Sequence, residues 1–224
     1  NYEDSEKIDM VQYTNLPSLF KNINEEGSPF LDILKNNKII EFANKLNITN
    51  IDCLYPRCYN KPRWYGVAAE YHQEIFFNYK YGYDICDNDL FQIFIALESH
   101  TENNACMRII PQTHKMGLLK TNNCFKNNFI SNYRIDADVL DDCYKKYGIH
   151  NCILDKGDCV IFHPLVVHGS SSNSSPYNRR VYTTGIINKE KIDNYNPNNE
   201  KNKNFINQRK KFLIEEFSKY LINF

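Results

Sequence analysis

The chain has 224 residues, 42% of them hydrophobic and 14% aromatic, which is enough to bury a core and too apolar for a disordered segment. Its 27 basic and 27 acidic residues cancel, which removes the basic footprint that nucleic-acid binding needs. No apolar run reaches the length of a membrane span, and the eight cysteines contain no Cys-x-x-Cys pair on which a zinc ribbon could stand.

Residues 1–27 are polar and mixed. Ser28-Pro29 reads as an N-cap with proline at the first helical position. Leu31, Ile33, Leu34, Ile39, Ile40, Phe42, Ala43 and Leu46 then recur at helical spacing, with a break near Asn36-Asn37. From about residue 50 the pattern turns to strands. They are expected at Trp64–Tyr71, Tyr71–Phe77, Leu90–Leu97, Cys106–Ile110, Cys152–Leu154, Cys159–His163 and Arg180–Ile187, with a Lys156-Gly157 turn before the sixth. A helical patch interrupts them at 137–146. Residues 188–204, crowded with Asn and Lys, read as a surface loop. A last amphipathic helix is expected over 205–222, with Phe205, Phe212, Leu213, Phe217 and Leu221 on one side.

Short strands flanked by helices outline a mainly β fold, a double-stranded β-helix of the jelly-roll or cupin-like kind. The length favours one domain over 1–224: helical support at 1–48, a jelly-roll core at 49–188, and a loop with a C-terminal helix at 189–224. Scattered cysteines in a chain this long suit reduced thiols in an intracellular protein.

Three pieces carry chemistry. In Tyr71-His72-Gln73-Glu74 a strand pattern sends His72 and Glu74 to one face, where an imidazole and a carboxylate can meet one metal. Alone, such a pair arises by chance. Downstream, Gly157–Ser170 leads through a turn and an apolar stretch to His168-Gly169-Ser170. Two histidines and one carboxylate form the facial triad of non-haem iron(II) oxygenases, which leaves three positions open on an octahedral ion. Eleven residues on, Arg179 offers the planar fork that pairs both oxygens of a buried carboxylate, as the far end of a chelating dicarboxylate would need. Arg179 and Arg180 alternate, so only one can face inward.

Rival assignments exist. His163 competes with His168 but lacks the Gly-Ser that follows it, and reads as structural. His114 reads as a satisfied core histidine, while His100 and His150 lie in polar loops and are expected to be exposed. Asp84, Asp87 and Asp89 form an acidic loop that could supply the carboxylate in place of Glu74.

Taken together, residues 71–187 resemble the phytanoyl-CoA dioxygenase family. Tyr-His-Gln-Glu at 71–74 is similar to its Trp-His-Gln-Asp. The segments Asn104-Ala105-Cys106 and Pro111-Gln112-Thr113-His114-Lys115 resemble its Asn-Gly-Cys and Pro-Gly-Ser/Thr-His-Lys. Gly157–Ser170 with Arg179 resembles its distal histidine and arginine. The resemblance implies iron(II) held by His72, Glu74 and His168. It also implies 2-oxoglutarate bound by Arg179 and Ser170, with Gln73 and Phe94 beside it, and dioxygen as the second co-substrate. The implied reaction hydroxylates a small molecule or an acyl-CoA-type substrate and releases succinate and CO2, in a cytoplasmic or peroxisomal setting. Glu74 departs from the family's usual aspartate. That departure keeps open a catalytically weakened metal- or ligand-binding protein on the same barrel, and a cupin-like zinc or manganese enzyme is a further alternative.

Overall fold

The computed structural model describes residues 32, 35–74, 90–122 and 134–189. The expected C-terminal helix, the acidic loop with Asp84, Asp87 and Asp89, and the residues before 32 lie outside them. The described strands are β1 (Ile51–Lys61), β2 (Ala69–His72), β3 (Leu90–Ala96), β4 (Arg108–Ile110), β5 (Thr121–Asn122), β6 (Arg134–Ile135), β7 (His150–Asn151), β8 (Cys159–Phe162), β9 (Val167–Ser170) and β10 (Arg179–Asn188). Two helices accompany them, α1 (Asn37–Lys45) and α2 (Ala137–Tyr147).

Two four-stranded antiparallel sheets, β1-β10-β3-β8 and β2-β9-β4-β7, make up a double-stranded β-helix, as the strand pattern and resemblance led us to expect. Each sheet has a helix on its outer side. Ile39 of α1 packs on Ile93 and Ile186 of the larger sheet, and Phe42 meets Phe91 edge-on. On the smaller sheet, Cys143 of α2 joins Ile110, Val167 and Ile135, with Tyr144 edge-on to Tyr71. Each of these isoleucines buries on the order of 2 kcal/mol of apolar transfer energy. Period-two alternation does the rest: with Phe91, Ile93 and Ile95 facing α1, Gln92, Phe94 and Ala96 face the space between the sheets. There Phe162, Met107, Cys152 and Val166 form the inner core, with Phe94 against it.

Several boundaries differ from the sequence pattern. Of the expected N-terminal helix, the described part is Asn37–Lys45, capped at the expected break by Asn36, which accepts from the Lys38 N–H at 3.0 Å, while Ser28-Pro29 lies outside the described residues. The apolar run Trp64–Tyr71 begins as a turn. Trp64 sits at φ 67°, its N–H donates to the Ser175 carbonyl at 3.0 Å, and its ring is 56% exposed. The expected strand Tyr71–Phe77 ends at His72, with residues 75–77 outside the described set. At Cys152–Leu154 the pairing strand is instead His150–Asn151. Ile153 is 61% exposed there, and Leu154 makes only a bridge to His100. The longest described strand, β1, carries no clean alternation and was not foreseen as an element. Among the described residues no helix is long and apolar enough to cross a membrane.

Candidate metal centre

Strand register assembles the site. His72, the last residue of β2, lies directly opposite His168 of β9, so the two imidazoles share a face with ring centroids 4.3 Å apart. Glu74 follows two residues later in a turn rather than in strand, and its Oε2 stands 3.4 Å from each histidine Nε2. The three side chains could hold one metal ion, with ligand atoms all within 4.8 Å of one another.

The proton positions suit a cation. His72 Nδ1 lies 2.6 Å from the Glu70 carbonyl and His168 Nδ1 lies 3.0 Å from that of Val166. Each Nδ1–H donates outward, and each Nε2 is turned toward Glu74. His168 Nε2 is buried with no hydrogen-bond partner, the mark of a donor atom awaiting an acceptor of its electrons. Burial, and then His72, hold His168 below the usual imidazole range. Burial alone would raise the Glu74 carboxyl, but the closeness of His168 and His72 outweighs it and holds the carboxyl well below the ordinary range. Two imidazoles beside a carboxylate are the donor set that a divalent transition metal takes.

Of the neighbouring arginines, Arg179 is buried, 7% exposed, while Arg180 lies outside against Glu98 at 2.9 Å. Among the described residues Arg179 Nε is buried without a hydrogen-bond partner, and burial lowers its guanidinium to about 10. Ser170 shares the face of His168 two residues away on β9. Phe94 stands edge-on to His168 at 6.0 Å between ring centroids. The geometry therefore gathers Arg179, Ser170 and Phe94 on the metal side of the barrel.

Gln73 behaves differently from the expectation that it lies beside a co-substrate. It is fully buried, and its Nε2 donates to the carbonyls of Gly117 at 2.9 Å and Leu165 at 2.8 Å. Its Oε1 accepts from the Leu119 N–H at 2.9 Å. Both amide protons are committed to backbone, so Gln73 pins the turn between the two candidate ligands to the segments around it. Thr113 does similar work, donating to the Ile110 carbonyl and accepting from the Val167 N–H.

The other histidines also sort out. His100 is buried rather than exposed, its Nε2 2.9 Å from the Arg180 carbonyl. His163 is structural, accepting from the Leu165 N–H at 3.1 Å. Among the described residues His114 Nδ1 is buried without a hydrogen-bond partner, and its ring tilts against His163 at 5.7 Å.

One residue of this corner escaped the sequence reading. Lys61, the last residue of β1, pairs in register with Arg179. It is 7% exposed, and its Nζ donates to Ser170 Oγ at 2.9 Å and to the Ser171 carbonyl at 2.6 Å. Lysines are common at strand ends and usually solvated, so nothing in its local sequence separates it from the others.

The phytanoyl-CoA dioxygenase family model matches residues 32–181. Human peroxisomal phytanoyl-CoA dioxygenase is 28% identical over 142 residues, which cover 62% of this chain and 40% of that protein. The bovine enzyme is 27% identical over the same span. The chain thus spans well under half of the curated relatives it matches. Among solved structures, EctD from S. alaskensis with 2-oxoglutarate and 5-hydroxyectoine has a TM-score of 0.55 at 17% identity, covering 72% of this chain and 53% of EctD. The non-haem monooxygenase ThoJ also has a TM-score of 0.55, at 16% identity over 84% of this chain and 70% of ThoJ.

Proposed function

Because the chain belongs to the phytanoyl-CoA dioxygenase family, we propose that it is an iron(II)- and 2-oxoglutarate-dependent dioxygenase. In this reading it hydroxylates a small-molecule or acyl-CoA-type substrate and releases succinate and CO2. His72, Glu74 and His168 are the iron ligands. The observation that carries the reading is their convergence, with both Nε2 atoms turned to one half-buried carboxylate and His168 Nε2 without a hydrogen-bond partner among the described residues. Iron(II), when bound, supplies the redox chemistry that couples decarboxylation of 2-oxoglutarate by dioxygen to hydroxylation of the substrate.

The chain's own residues hold and orient. The Glu70 and Val166 carbonyls fix the tautomer and tilt of the two imidazoles. Gln73 keeps the turn bearing Glu74 from sliding, so the longer carboxylate can stand where the family has aspartate. Arg179 takes the distal carboxylate of 2-oxoglutarate, with Ser170 beside it. Phe94 and Phe162 wall the site with aromatic surface and exclude water. The whole of 1–224 is read as one oxygenase domain. The relatives named peroxisomal support an intracellular setting, cytoplasmic or peroxisomal.

The test is spectroscopic. Iron(II) and then 2-oxoglutarate are added without oxygen to metal-free protein, and the visible charge-transfer band of the chelate is followed. A band in the wild type, lost in His168→Ala and weakened in Arg179→Ala, is expected. Iron bound without any band would overturn the dioxygenase reading in favour of a weakened binding protein.

A further inference from the structure

A groove of about 820 Å³ opens between the turn after β1, the loop after β3 and the loop leading into β10, a volume within the range of small-molecule sites. In the β2–β9 pair Ala69 faces Ser170, and His72 faces His168. The groove's segments precede Ala69 and follow Ser170, so it lies at the end of these strands away from the triad. Among the described residues, the exposed tyrosine and tryptophan side chains, Trp64, Tyr65 and Tyr177, all belong to these segments. Among the same residues none of the three stacks on another ring.

The turn after β1 is held in a form that its residues disfavour. Trp64 takes a left-handed backbone at φ 67°, an outlier for so bulky a side chain, and its ring stays exposed. Hydrogen bonds keep the turn there. The Arg63 N–H donates to Asn178 Oδ1 at 2.9 Å, the Trp64 N–H to the Ser175 carbonyl at 3.0 Å and the Gly66 N–H to the Pro62 carbonyl at 3.0 Å. Strain that the surroundings over-determine in this way collects at ligand clamps.

The uncommitted polar groups point to the ligand. Glu98 is taken by Arg180, and Asn104 is engaged with Thr101, Ser99 and Asn178. What remains free in the groove, among the described residues, is the Arg63 guanidinium, Asn178 Nδ2 and the side chains of Ser99, Asn103 and Ser174. Arg63 and Asn178 Nδ2 can only donate, while the hydroxyls and Asn103 can do either. A neutral sugar would leave the guanidinium without a counter-charge. An anion carried on a flat ring suits both, with phosphate on the fork of Arg63 and a base against the face of Tyr177. We infer that this groove is a nucleotide-binding site, in which Arg63 holds the phosphates and Tyr177 the base. Its place at the far end of β2 and β9 from the triad makes the ligand a free nucleotide and not part of the reacting substrate. The groove and the metal centre stand or fall separately.

Calorimetric titration of the full chain, anaerobic and saturated with iron(II) and 2-oxoglutarate, tests this with ADP, adenosine, inorganic phosphate and dephospho-CoA. ADP should bind with a Kd below about 1 mM, and adenosine or phosphate alone about tenfold or more weakly. Arg63→Met should weaken ADP by about tenfold, and Tyr177→Ala by about fivefold or more. Both side chains are exposed, so both variants should keep the wild-type melting temperature. No ADP binding at about 1 mM, displacement of 2-oxoglutarate by ADP, or unchanged ADP affinity in both variants overturns the inference. Dephospho-CoA, which carries the same nucleotide on a long arm, should bind about as ADP does. Binding about tenfold tighter or more would make the groove the handle for a substrate and overturn the free-nucleotide assignment. The same titration on metal-free protein supplies the test if iron(II) and 2-oxoglutarate do not bind.

Discussion

The two ends of the candidate pocket are electrical opposites. At one end two imidazoles flank a single carboxylate, and His168 Nε2 has no hydrogen-bond partner among the described residues. At the other, Lys61 and Arg179 crowd together with hydroxyl and carbonyl oxygens for company. The first corner fits a cation and the second an anion. In the reading proposed above, a molecule that chelates metal with its head and carries a carboxylate at its tail is oriented before any substrate arrives, which is a form of preorganisation.

The contrast breaks most completely when a ligand is removed. His168→Ala should weaken iron(II) by about 100-fold or more, roughly 3 kcal/mol, measured by competition with a chromophoric chelator. Retained affinity would mean that His168 is not a ligand of the metal. Arg179→Ala attacks the other end, and should cost roughly 2–5 kcal/mol of 2-oxoglutarate affinity while iron affinity is kept. Loss of both together would mean that the two ends are not separable.

Gln73→Ala tests what lies between them. It strands two carbonyls and an N–H in the interior, each worth roughly 1 kcal/mol or more, and should lower the melting temperature markedly. Unchanged stability would refute its role as a peg.

The pH dependence of the metal-free, ligand-free protein separates the ends without mutation. Lys61 is brought to about 7 in the fold and titrates near 10.4 when unfolded. Between those values the unfolded chain holds the extra proton, so stability rises with pH through this window, by a few kcal/mol at most. At the metal end His168 is lowered, so its contribution is lost as pH falls through the unfolded value of about 6.5. Chemical denaturation across pH should show both slopes, and Lys61→Met should flatten only the alkaline one.

Smallest of all are two backbone adjustments. Ala105 at φ 63° and Gln112 at φ 64° occupy the left-handed region, at the two motif positions where the resembled family carries glycine. Ala105→Gly and Gln112→Gly should each stabilise by about 1 kcal/mol, read as a small rise in melting temperature. A fall in either would show that the side chain itself is needed.

Those two positions also show what a sequence can disclose. The convergence of the candidate triad was legible from the His-x-Glu spacing, although the strand ends at His72 and Glu74 stands in the turn after it, and the Gly-Ser after His168 set that residue apart from His163. Arg179 was readable through its alternation with Arg180. What stayed hidden depended on pairing across long separations. Lys61 meets Ser170 across 109 residues, and Gln73 meets Leu165 across 92. The same limit explains His100, which a polar neighbourhood marks as exposed and a distant carbonyl buries. The β1 strand escaped because neither face of its run is uniformly apolar.

The turn after β1 has one practical outcome. Trp64 is the chain's single tryptophan, half in solvent, three residues beyond Lys61 and anchored to Ser175. Its emission is thus a label already fixed at the anion end, with no counterpart beside the triad. A fluorescence change on adding 2-oxoglutarate, set against none on adding metal alone, would count the occupancy of each end in one cuvette.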